Sequence, residues 1–220
     1  MSKIKRTEHS LQISRPLTSM IPQGLSKKGQ IFWKFINNEQ KTLGNEPREL
    51  TRSRLIQLYR DDLNKSKPAH SRFMEIDHGY IQWLFPLETI GVNPEAPILN
   101  KKDFAVLSTI EDIKTKMLEH FELFTEFMGL SYDKNKGTFK KVNANQWKNW
   151  IEHPHNNLRI SRILTSMKNL GLEKTALDFL KFLKIESNRK HDESTRNQVF
   201  RQFADITRKS CKDYWVKCIS

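Results

Sequence analysis

A chain of 220 residues is long enough to bury a sizeable core in one domain, and its 37% hydrophobic share excludes global disorder. No run approaches the ~20 apolar residues of a membrane span, and the polar, basic stretch Met1–Met20 lacks the apolar centre of a signal peptide. The formal charge of +13 is uneven: residues 1–60 carry +8, 61–130 carry −5, 131–186 carry +6 and 187–220 carry +4. An acidic middle is thus flanked by basic segments that attract polyanions through counterion release.

In chain order, residues 1–28 contain Pro16, Pro22 and Gly24 and read as a basic flexible arm, with a single helical domain over 29–220. Ile31–Asn37 is a short apolar run. Glu49–Leu63 reads as a helix with Leu50, Leu55, Leu58 and Tyr59 inward, and 65–68 as a break. Phe73–Phe85 is predicted to be a buried helix, because Tyr80-Ile81-Gln82-Trp83-Leu84-Phe85 is apolar on nearly every side and Pro86 stops it. Three prolines and Gly91 make Pro86–Pro97 an extended connection. Ile110, Ile113, Met117, Phe121, Phe124 and Met128 then form one continuous apolar stripe that ends at Gly129.

Asp133–Val142 reads as a basic loop, and Trp147–Glu152 as a short helix with Trp147, Trp150 and Ile151 inward. After Pro154 a helix is expected to start near Asn156 or Asn157, either of which can cap it, and to stop at Gly171. Glu173–Lys184 follows as its antiparallel neighbour across a tight turn. Residues 187–194 read as a charged loop and Thr195–Trp215 as a last helix. On that helix Cys211 and Cys218 would stand about 10 Å apart along the axis, too far to bridge, which points to a reducing, cytosol-like or nuclear compartment. No strand-type alternation is present. The fold class is all-α: a single compact multi-helix domain of about seven to nine helices around a buried Tyr80–Phe85 helix.

Two words carry a family resemblance. His78-Gly79-Tyr80-Ile81-Gln82-Trp83-Leu84-Phe85-Pro86-Leu87, continued by Gly91-Val92-Asn93-Pro94-Glu95-Ala96-Pro97, resembles the signature of the opioid growth factor receptor family. His155-Asn156-Asn157-Leu158-Arg159-Ile160-Ser161-Arg162-Ile163-Leu164, closing at Leu170-Gly171-Leu172, resembles its second block. The resemblance is to the family's defining N-terminal region, best over residues 31–185, without the long repeat tail of the animal receptors. Upstream, Phe35-Ile36-Asn37-Asn38 departs from the family's Phe-Tyr-x-Gly, and Gly79 replaces a more usual polar residue. The resemblance implies a non-enzymatic, receptor-like binding module. In animals the family is associated with binding the enkephalin pentapeptide, with movement to the nucleus and with negative control of cell growth.

The residues themselves propose where a ligand would sit. His78 and Gln82, four apart, are a polar pair in a hydrophobic wall, with Trp83 beside them. His155, Asn156, Asn157, Arg159 and Arg162 combine a helix N-terminus, amides and guanidiniums, the make-up of an anion cradle. By helical phase Arg159 borders the buried arc and Arg162 lies further towards solvent. The alternative for these residues is structural: the asparagines cap and the arginines pair with Glu75 or Asp77. If the two blocks face each other they build one pocket, with a peptide or small anion as partner.

Two other functions stay open: a nucleic-acid or polyanion binder using the basic flanks, and an enzyme in which His78 or His155 is a general base beside an arginine-bound anion. No Gly-x-Ser-x-Gly, no glycine-rich phosphate loop and no ligand-spaced partner for His153-x-His155 is present. Accordingly no catalytic residue, metal or cofactor is assigned.

Overall fold

The computed structural model describes residues 19–43, 49–65, 74–75, 77–147 and 155–188. The expected helix over 195–215, both cysteines and most of the basic arm lie outside the described residues, as do Trp150 and Ile151. Within the described residues the fold is helical, with one small two-stranded sheet. The helices are α1 (Lys27–Ile36), α2 (Arg52–Lys65), α3 (Tyr80–Leu84), α4 (Lys101–Leu107) and α5 (Glu111–Phe127). The hairpin β1 (Leu130–Asp133) and β2 (Thr138–Lys141) follows, then α6 (His155–Asn169) and α7 (Glu173–Asn188). No described helix is long and apolar enough to cross a membrane.

The stripe on α5 is the spine of the core: Ile113, Met117, Phe121, Phe124 and Met128 are all buried. The helix ends where predicted, at Gly129 with φ +73°, and a Cβ there would meet the Asn143 carbonyl oxygen at 2.4 Å. The stretch expected to be a loop from Asp133 is instead half of the hairpin. Tyr132 pairs with Phe139 across the strands, their rings stacked at 4.5 Å. Phe139 then lies on Phe121 and Phe179, which fastens the hairpin to α5 and α7. Strands of four residues are too short for alternation to register, so only tertiary contact identifies them.

Helix α6 ends in a full C-terminal motif at Gly171 (φ +81°): Leu172 N donates to Met167 O (2.8 Å) and Gly171 N to Lys168 O (3.0 Å). That turn lays α7 against α6.

Helix α4, which periodicity alone does not reveal, is set by a reciprocal capping box between Asn100 and Asp103. The same carboxylate accepts from Ser26 N and Ser26 Oγ, both at 2.7 Å, while Ser26 Oγ accepts from Gly29 N and caps α1. One fully buried Asp103 thus organises two helix N-termini. Gly29 permits this closeness, since a Cβ would stand 2.3 Å from Asp103 Oδ1.

The helix expected over 73–85 is broken. Met74 and Glu75 are helical, Asp77 to Gly79 are not, and regular helix resumes only at Tyr80. Asp77 is the cause: its Oδ1 accepts from Gly79 N (2.9 Å) and its Oδ2 from Tyr59 Oη (2.7 Å), a local turn that competes with helix. All five residues of α3 are buried. Phe85 (φ −133°, ψ 79°) ends it outside the helical region, which Pro86 disfavours for the residue before it.

The end of α3 is held from α5 by His120, which is fully buried. Arg52 Nε donates to His120 Nε2 (2.7 Å), so His120 Nδ1 carries the proton and donates to Leu84 O (3.0 Å). Arg52 also pairs with Glu119. Burial, reinforced by the Arg52 charge, holds the imidazole pKa well below its ordinary value. The folded chain therefore keeps His120 neutral where the unfolded chain takes up a proton, and stability is lost as pH falls below about 6.5. Urea denaturation at stepped pH should show a loss approaching 1.4 kcal/mol per pH unit from this residue, a slope that His120→Gln lacks. Asp103→Ala should lower stability by roughly 3 kcal/mol through loss of charge-assisted bonds at two helix starts, measured in the same way.

Candidate functional site

A half-open cleft of about 300 Å³ lies where the two sequence blocks meet. From the first block it is lined by His78, Ile81, Gln82, Leu87, Gly91 and Val92, and from the second by Leu158, Arg159, Ser161, Arg162 and Thr165. The walls are mainly apolar. Val92 is 80% exposed and Leu158 74% exposed, so two large aliphatic side chains stand in water at the rim.

The buried amide of Gln82 is oriented by its neighbours, its nitrogen donating to Gly79 O (2.9 Å) and His78 O (3.1 Å). These bonds satisfy the carbonyls at the break before α3, which explains a lone amide in an otherwise apolar helix. His78 is not on the helix with Gln82 as the spacing suggested. It is exposed in the non-helical turn, with Nε2 3.0 Å from Glu75 O, and reaches the cleft from there.

The two arginines divide their roles. Arg159 is buried and turned inward: Nη1 donates to Asn156 Oδ1 (3.0 Å) and lies 3.9 Å from Glu75 Oε2, Nη2 donates to Glu75 O (3.3 Å), and the guanidinium lies 5.7 Å over the Tyr80 ring. Arg162 is half-buried, with Nη1 donating to Phe85 O at 3.1 Å. Among the described residues no carboxylate pairs with it. Burial alone lowers its pKa to about 10, which leaves it charged at neutral pH.

Gly91 makes the arrangement possible. A Cβ at that position would stand 2.6 Å from Gln82 Cγ and 2.8 Å from Arg162 Nη2. In sequence Gly91 read only as a breaker of regular structure; the close packing that requires glycine there was not visible.

Other expected site residues lie elsewhere. Trp83 is fully buried, donates from Nε1 to Leu43 O (3.3 Å) and packs on Phe35, so it supports α3 from behind and does not line the cleft. Asn156 is buried and holds Arg159. It does not precede the helix as a cap, because α6 already begins at His155. The backbones of His155 and Asn157 belong to that first turn; their side chains lie outside the described residues. Trp147, expected to face inward, is buried against Phe182, 5.6 Å between ring centres.

Fold and cleft together define an all-α domain with a ligand-sized cleft between two helices of distant sequence. Residues 26–220 match the family described as "Opioid growth factor receptor (OGFr) conserved region", and the chain belongs to that family. It is similar to the opioid growth factor receptor of Mus musculus, 36% identical over 134 residues, or 60% of this chain and 21% of that protein. The Homo sapiens receptor is 36% identical over 132 residues, covering 58% of this chain and 19% of the receptor. The opioid growth factor receptor-like protein 1 of Mus musculus is 32% identical over 129 residues, 57% of this chain and 27% of its own length. The chain therefore spans only about a fifth to a quarter of these relatives. No solved structure matches it.

The unequal partners of the two arginines predict unequal costs. Arg159→Met should lower unfolding free energy by about 3 kcal/mol, because it strips the interior of a paired charge. Arg162→Met should cost about 1 kcal/mol, the worth of one hydrogen bond to a carbonyl. Chemical denaturation of both variants against the parent chain checks the contrast.

Proposed function

We propose that this chain is a non-enzymatic binding module that takes a short peptide in the cleft between its two signature blocks. The observation that carries this reading is Arg162, a guanidinium held in mostly apolar walls with a backbone carbonyl as its partner among the described residues. A charge removed from water and not matched by a carboxylate lowers stability, and an incoming anionic group offsets that cost. The apolar walls supply affinity, and the few fixed polar groups orient the ligand. The relatives named as receptors for a growth factor support a peptide as the ligand class. The polyanion alternative rests on basic flanks that lie largely outside the described residues, so the cleft carries the stronger case.

Among the described side chains no general base is set up in this cleft. His78 sits in an exposed turn against a backbone carbonyl, and the arginine nearest the core is taken by Glu75 and Asn156.

The test is calorimetric titration of the chain with the enkephalin pentapeptide, compared with Gly91→Leu. That substitution drives a side chain into the space held by Gln82 and Arg162, which must shift to admit it, so a denaturation curve is recorded to confirm that the variant folds. Saturable binding by the parent chain, reduced at least about tenfold in the variant, is expected. Equal binding by both, or none by the parent, overturns the proposal.

A further inference from the structure

We infer that the cleft reads the carboxyl end of its ligand: an apolar terminal group fills the walls and a free carboxylate pairs with Arg162. The inference rests on the binding-module reading above and specifies its ligand chemistry.

Size comes first. About 300 Å³ is at the small end for a ligand pocket, which suits the last residue of a chain whose remainder lies outside the half-open cleft. The wall chemistry then selects an end over a middle. The aliphatic side chains of Ile81, Leu87, Val92 and Leu158 offer no hydrogen bonds to the N–H and C=O groups of a chain passing through. A mid-chain segment lodged there would leave its peptide groups unsatisfied, whereas a terminal residue brings only its side chain and carboxylate inside.

Charge sets the anion. Arg159 is committed to Glu75, Asn156 and the Tyr80 ring, so among the described residues of the cleft Arg162 is the guanidinium left to meet the ligand. One cation in a desolvated wall balances a singly charged carboxylate and leaves a phosphate dianion under-neutralised. Arg162 has also kept donors for it. Of five N–H groups in a guanidinium, one on Nη1 is directed to Phe85 O and Nη2 packs so closely on Gly91 that a Cβ there would stand 2.8 Å from it, which leaves the other N–H groups as donors. A planar fork of this kind pairs with a carboxylate through two parallel hydrogen bonds.

Two sources share this chemistry: a peptide with an apolar last residue, and a free amphiphilic carboxylate such as a medium-chain fatty acid. The experiment separates them. The full chain is titrated with N-acetyl-Gly-Gly-Leu as the free acid, with the same peptide as its carboxyl-terminal amide, and with octanoate. The acid should bind about tenfold or more tighter than the amide. Arg162→Met should abolish the preference for the acid over the amide, with Arg162→Gln as a second variant and denaturation curves confirming that both fold. Octanoate binding with the same dependence on Arg162 assigns the free amphiphile; its failure beside a bound acid assigns the peptide.

An amide that binds as tightly as the acid, with both blocked by Gly91→Leu, sinks the carboxyl-end inference and leaves the binding cleft standing. No binding by the acid, the amide or octanoate also overturns the inference. If the pentapeptide fails as well, the binding-module reading falls with it.

Discussion

The architecture turns on the unpaired carbonyls at the end of a five-residue helix. Every helix leaves its last C=O groups without partners inside the helix, and a helix buried on all sides has no water to satisfy them. Pro86 prevents α3 from continuing, so the partners must come from elsewhere. Leu84 O receives His120 Nδ1 from α5, and Phe85 O receives Arg162 Nη1 from α6. Each donor belongs to a different helix, and together they set where α5 and α6 stand relative to the buried segment.

The site follows from that constraint. To reach Phe85 O, Arg162 must lie along the apolar flank of α3, and its other donors are thereby held in a hydrophobic cleft. Arg159, one turn earlier on the same helix, meets a different set of neighbours and becomes part of the interior. Two arginines three residues apart thus carry different chemistry because one faces a carboxylate and the other a carbonyl. The cleft is a by-product of finishing α3, and Gly91 lets its connection close directly against Gln82 and Arg162.

Much of the helical frame was legible because its signals are local. The stripe from Ile113 to Met128 repeats every three or four residues, and Gly129 and Gly171 adopt the left-handed turns that only glycine accepts cheaply. The two blocks that carry the family resemblance are the two that meet at the cleft. The hairpin escaped because four-residue strands contain too few alternations. The break before α3 escaped because Asp77 and Gly79 stop a helix through hydrogen bonds, whereas apolar periodicity reports only burial. Helix α4 was readable in principle from Asn100 and Asp103, a capping box that hydropathy does not weigh.

By itself, then, the sequence determined the fold class and the positions of the long helices and stops. Those properties depend on neighbours within a turn or two of helix. Tertiary structure alone decided which polar group each residue meets. Arg162 and Phe85 are 77 residues apart, as are Ser26 and Asp103, and His120 lies 36 from Leu84. A hydrogen bond is satisfied in space, without regard to chain separation. Whether an arginine serves the core or faces a ligand is therefore settled only once the helices have packed.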